Sequence, residues 1–168
     1  TLLLIISFLL LIIHCEAQNR HLIDSLETKL KSHQATKIAL QIASPSLYDT
    51  TAAYILCKLS EAYWSNNPEK AINYANQSMA LSEQIGFKKG MGNAYNLMGV
   101  VATYKGNYLP ALEFHNKALK IREAIGDKKG IAGSYGNIGL IYESQGNYPE
   151  ALKNHLASLR MRSVFEPR

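Results

Sequence analysis

The sequence predicts an all-α fold, an α-α superhelix in which antiparallel helix pairs stack side by side. Three observations predict it: a segment that repeats at a fixed step, apolar residues at helical spacing inside each copy, and glycine, asparagine and proline punctuation at matching places. Setting residues 86–115 against 126–155, a step of 40, pairs Gly86 with Gly126, Lys88 with Lys128, Gly90 with Gly130, Tyr95 with Tyr135 and Gly99 with Gly139. The pairing continues through Gly106 and Gly146, Asn107 and Asn147, Tyr108 and Tyr148, Ala111 and Ala151, and His115 and His155. The same step relates Ala71 to Ala111 and Ile85 to Ile125, so a first copy precedes these two.

Taken in order, the chain begins with an apolar run, Leu2 to Ile13, interrupted by Ser7 and followed by Cys15-Glu16-Ala17-Gln18. A helix that crosses ~30 Å of hydrocarbon needs about 20 apolar residues, so this run is too short to span comfortably. It fits the apolar core of a signal peptide, residues 1–17, with small residues Cys15 and Ala17 preceding a cleavage point before Gln18. The initiator Met and a basic leader region do not precede it, so the sequence reads as a fragment beginning within its own signal. Lipidation at Cys15 is the alternative, disfavoured by His14 in front of it.

Residues 18–46 read as a helical cap or a degenerate repeat, with Leu22, Leu26 and Leu30 at every fourth position and Ser44-Pro45-Ser46 as a break. The repeats follow as residues 47–86, 87–126 and 127–168. Each reads as two helices. In the third, Tyr135, Ile138, Leu140, Ile141 and Tyr142 form one apolar stripe, and Ala151, Leu152, His155, Leu156 and Leu159 form the other. Gly146-Asn147 turns the chain between them, and Pro149 suits the first turn of a helix, where its missing N–H is no loss. Gly126-Asp127-Lys128-Lys129-Gly130 reads as the link from unit to unit. Gly99 and Gly139, set against Ala111 and Ala151, predict that the two helices of a pair approach closely.

The order tyrosine, glycine, tyrosine, then Gly-Asn-Tyr-x-x-Ala-Leu resembles the tetratricopeptide repeat, best in Tyr135, Gly139, Tyr142, Gly146-Asn147-Tyr148, Ala151 and Leu152. The resemblance covers residues 50 to 165. It departs from the family in its step, since the usual unit is about 34 residues, and the extra length is expected at the inter-unit junction. The proline that usually closes the second helix is absent, with Glu123 and Ser163 near its place, and His115 and His155 stand where an aromatic is usual. Long-step repeats behind a signal peptide are similar to the sensor regions of bacterial membrane histidine kinases, nucleotide cyclases and helix-turn-helix regulators. That likeness implies, as an alternative, an extracytoplasmic sensor fragment of a larger protein.

The resemblance implies a protein- or peptide-binding scaffold whose concave wall is made by the first helix of each unit. Carried over residue by residue, the wall holds Tyr54, Cys57, Glu61 and Trp64 in the first unit. Asn93, Asn96, Val100 and Thr103 line it in the second, and Gly133, Gly136, Leu140 and Glu143 in the third. Trp64, the single tryptophan, is either a groove anchor or a contact to the cap. None of these positions is basic, so the wall lacks the lysine and arginine of a carboxylate clamp. Lys88, Lys89, Lys128 and Lys129 are expected in loops; Lys117, Lys120, Arg122, Lys153, Arg160 and Arg162 are expected to solvate the convex face.

Chemistry is not signalled. His14, His21, His33, His115 and His155 form no metal-binding pair within one helix, and neither a nucleophile elbow nor a phosphate-cradling loop occurs. Cys57, left alone once the signal is removed, builds no disulfide framework. The net charge of +5 is spread along the chain without a basic block, so nucleic acid is not expected as a partner. The expected partner is another protein or peptide, with no cofactor and no metal, in the periplasm or outside the cell. Tethering to the extracytoplasmic face of a membrane and self-association are further expectations.

Overall fold

The computed structural model describes the backbone of residues 2–39 and 47–165, with side chains over 16–36 and 49–163. Seven helices make up the described residues: α1 (Leu2–Ala39), α2 (Leu47–Tyr63), α3 (Pro68–Gln84), α4 (Lys88–Tyr104), α5 (Tyr108–Ala124), α6 (Lys128–Ser144) and α7 (Tyr148–Phe165). No strand occurs among them. The predicted break at Ser44-Pro45-Ser46 lies outside the described residues.

Every helix from α2 to α6 is 17 residues long, and three-residue linkers 85–87, 105–107, 125–127 and 145–147 join successive helices from α3 onward. The extra length of the repeat therefore lies in the helices and not, as expected, at the unit junction. Lys88, Lys89 and Gly90 open α4, and Lys128, Lys129 and Gly130 open α6; none of them is loop.

The linkers share one backbone device. Gly86, Gly106, Gly126 and Gly146 have φ between 67° and 76°, a left-handed conformation that side chains disfavour. At Gly86 its N–H donates to the Glu83 carbonyl (3.2 Å) and the Phe87 N–H to the Ser82 carbonyl (2.8 Å). The same two bonds recur after α4, α5 and α6. This Schellman arrangement satisfies carbonyls that a helix end leaves without partners. Helix starts are capped where the residue allows: Asn67 Oδ1 accepts from the Lys70 N–H and Asp127 Oδ1 from the Gly130 N–H, both at 3.0 Å.

Each helix packs on the next in the chain, and α2 also touches α4 as α4 touches α6. The second helices α3, α5 and α7 make no such direct contact among the described residues. Neighbouring units thus approach along their first helices and splay along their second, which curves the stack with α2, α4 and α6 on the inside. Ala71, Ala111 and Ala151 are buried where the pairs close. Gly99 and Gly139 are the closest points: a Cβ at either would lie 2.7 Å from the imidazole of His115 or His155. The close approach is filled by a histidine ring on the partner helix.

Three expectations about apolar faces need correction. On α1, Ile23 is buried beside Leu30 while Leu22 is exposed, because α2 covers a face one position round from the predicted stripe. On α7, Leu152, Leu156 and Leu159 are exposed, since the buried positions are Ala151 and Ser158. On α6, Leu140 is exposed, pointing away from the Ile138 and Ile141 that face α7's side of the core. Beyond α1 the N-terminal cap adds polar ties: Glu27 Oε1 accepts from the hydroxyls of Tyr63 (3.0 Å) and Tyr74 (3.2 Å), and Asn19 Nδ2 donates to the Ala62 carbonyl (3.3 Å).

Candidate binding groove

The inner wall of α2, α4 and α6 carries three adjoining hollows. The first is apolar, about 170 Å³, between Trp64, Val100, Thr103, Tyr104 and Leu140, with His115 and Asn137 completing it. Trp64 stands edge-on to Tyr104, ring centroids 5.6 Å apart and planes at 89°. The Tyr104 hydroxyl donates to the Ser65 carbonyl (3.1 Å), which ties the pair across the first two units. Trp64 remains 37% exposed and Leu140 53%, an apolar surface without a partner in this chain.

The second hollow, about 220 Å³, is polar and lies among Tyr54, Cys57, Glu61, Asn93, Asn96 and Arg122. Lys58 reaches Glu61 at 2.6 Å and lies 5.7 Å from the Tyr54 ring centroid. Cys57 is buried in the core with only its edge on the hollow; its Sγ is 3.1 Å from Ser78 Oγ, and burial pushes the thiol above its usual pKa. The wider third hollow, about 470 Å³, runs on past Asn93, Asn96 and Asn137 to Lys89, Lys129 and Gly133. Gly136 and Leu140 border a further depression against α7 with His155 and Arg162.

Eleven of the expected wall residues thus line one or more hollows, and Glu143 lines none of those described. Its carboxylate faces His155 Nε2 at 3.4 Å instead. Four side chains that matter were not expected there. Tyr104 and Asn137 sit on first helices, one register place away from the predicted positions. Their polarity amid apolar neighbours was the available signal. His115 comes from α5 and reaches the apolar hollow across Gly99. It is 1% exposed, its Nδ1 has no hydrogen-bond partner, and its pKa is lowered to about 4, by burial first and the Arg122 charge second.

Arg122 is the largest departure. Expected on the solvated convex face, it is 7% exposed, its side chain running from the last turn of α5 under the start of α6 to the groove floor. Gly130 makes the passage, since a Cβ there would lie 2.8 Å from Arg122 Cδ and Nε. Nη1 donates to Ser134 Oγ (2.7 Å), the Gly130 carbonyl (3.0 Å) and Asn96 Oδ1 (3.3 Å), and Nη2 to Asn93 Oδ1 (3.4 Å). Burial lowers its pKa, with Asp127 acting the other way. Lys89 and Lys129 also belong to the groove edge, so the inner wall is basic after all. Among the described residues, no group of three or more His, Cys, Asp or Glu side chains could hold a metal ion, and no helix is long and apolar enough to cross a membrane.

Stacked antiparallel helix pairs with a hollowed inner wall define a helical-repeat scaffold, the class of fold that presents a groove to other proteins. Residues 90–163 match the tetratricopeptide repeat family model, and the chain is a tetratricopeptide-repeat protein through that segment. Three solved structures share the fold. BtubC (BKLC) from P. vanneervenii superposes with a TM-score of 0.69 at 14% identity, covering 87% of this chain and 57% of that one. The TPR domain of Arabidopsis FLU gives 0.62 at 20% identity, covering 69% of this chain and 98% of the domain. Aspartyl phosphate phosphatase F from Bacillus subtilis gives 0.67 at 17% identity, covering 88% of this chain. The chain spans only 39% of that phosphatase. No curated protein sequence matches the chain.

Proposed function

We propose that this protein holds an extended peptide segment of a partner in the groove of α2, α4 and α6, acting by capture and not by catalysis. The observation that supports the reading is continuity: Asn137 borders both the apolar hollow at Trp64 and the carboxamide-lined hollow at Asn93 and Asn96. An apolar anchor pocket beside a row of amide donors and acceptors suits a peptide, whose backbone needs partners while one side chain is buried. Panning of an octapeptide display library should yield binders that are lost in Trp64→Ala and Asn96→Ala. Binders that survive both substitutions would refute groove capture.

The apolar run Leu2 to Ile13 before Cys15 and Ala17 supports a place outside the cytoplasm. Residues 1–20, given a Met-Lys-Lys start and fused to leaderless alkaline phosphatase, should export the enzyme, with cleavage before Gln18. An inactive, uncleaved fusion refutes it. The exposed Leu152, Leu156 and Leu159 on α7 favour a second reading, in which this array is the sensing part of a larger signalling protein and another helical element stacks on that face.

A further inference from the structure

Arg122 is a buried cation whose recorded partners are all neutral. Its four hydrogen bonds end on a serine hydroxyl, a carbonyl and two carboxamides, and its Nε, also buried, has no partner. A buried charge held only by dipoles leaves most of its desolvation cost uncompensated. The carboxylates close by are already engaged. Glu61 is held by Lys58 at 2.6 Å, and Asp127 caps α6 through the Gly130 N–H. Lys89 and Lys129 add positive charge to the same hollow, and the N-terminal end of α6 contributes the positive pole of its dipole.

The bonds to Asn96 and Asn93 are long, at 3.3 and 3.4 Å, so an incoming anion could displace them at little loss. Rotating either carboxamide about its terminal bond would then turn N–H donors toward that anion. A planar, two-oxygen acceptor matches the guanidinium fork. We infer that Arg122, with Asn93 and Asn96, forms a subsite for a carboxylate of the bound peptide. The cation rises from a second helix through the groove floor. The inference rests on the peptide-groove reading and specifies its ligand.

The test uses fluorescein-labelled octapeptide pools in three matched forms: one internal Glu with an amidated C-terminus, Gln in that place with a free C-terminal carboxylate, and Gln with the amidated terminus. Fluorescence polarisation should show one of the carboxylate forms binding at least tenfold more tightly than the all-amide pool, identifying whether side chain or terminus is read. Asn96→Asp supplies an internal counter-ion to Arg122. It should abolish the preference while raising the melting temperature. Arg122→Met should abolish it as well.

Equal binding of all three pools to the wild-type protein overturns the subsite and leaves the groove standing. Persistence of the preference in Asn96→Asp, or in a folded Arg122→Met, also overturns it. Failure of every pool to bind removes the groove reading and the subsite together.

Discussion

The imidazole of His115 occupies the space that a side chain at Gly99 would need: a Cβ there would lie 2.7 Å from His115 Cε1 and Nε2. One residue thus sets how near α5 comes to α4, and the same ring borders the apolar hollow of the groove. Packing and binding surface meet at this pair.

Gly99→Ala should destabilise the protein by about 1–2 kcal/mol in urea unfolding, the overpacking cost exceeding the helix propensity gained. Combining it with His115→Ala should recover part of that loss, because the clash is removed. Strict additivity in the double-mutant cycle would contradict the contact.

Gly106→Ala should cost roughly 1 kcal/mol for a different reason. No atom lies within 4 Å of a Cβ at Gly106, but φ is +76°, so the penalty is conformational. It should add independently to that of His115→Ala. Gly106→Asn, which tolerates this backbone better, should lose less than Gly106→Ala.

Acid should weaken the fold through His115. The unfolded chain takes up a proton near pH 6.5, whereas the folded ring does so near pH 4. Stability from this group is therefore complete above about pH 6.5 and is lost as pH falls toward 4, by on the order of 3 kcal/mol. His115→Phe should flatten that part of the pH profile measured by thermal melting. An unchanged slope would place the titration elsewhere.

Trp64→Ala should cost no more than about 1.5 kcal/mol, the scale of one edge-on aromatic contact, while groove ligands are lost. A collapse of the melting temperature would mark Trp64 as core.

Glu27→Ala should loosen α1 from the first repeat, since Glu27 accepts from both Tyr63 and Tyr74. A loss of about 1 kcal/mol is expected at this half-exposed site. Hydrogen exchange in α1 should rise more than in α6.

Local signals decide much of this protein. The 40-residue step between Gly86 and Gly126 announces the stacked pairs, because each turn needs one left-handed glycine and each close approach one small residue. Those requirements are met within a few residues of chain, so they are legible as spacing. Tertiary packing decides the rest. Neither the burial of Ile23 in place of Leu22 nor the exposure of the α7 leucines follows from periodicity, which marks a stripe but not what covers it. Arg122 is the clearest case: in sequence it is one more cation on a second helix. Only the absence of a side chain at Gly130, and the convergence of Asn93, Asn96 and Ser134 from two other helices, carries its charge to the groove floor.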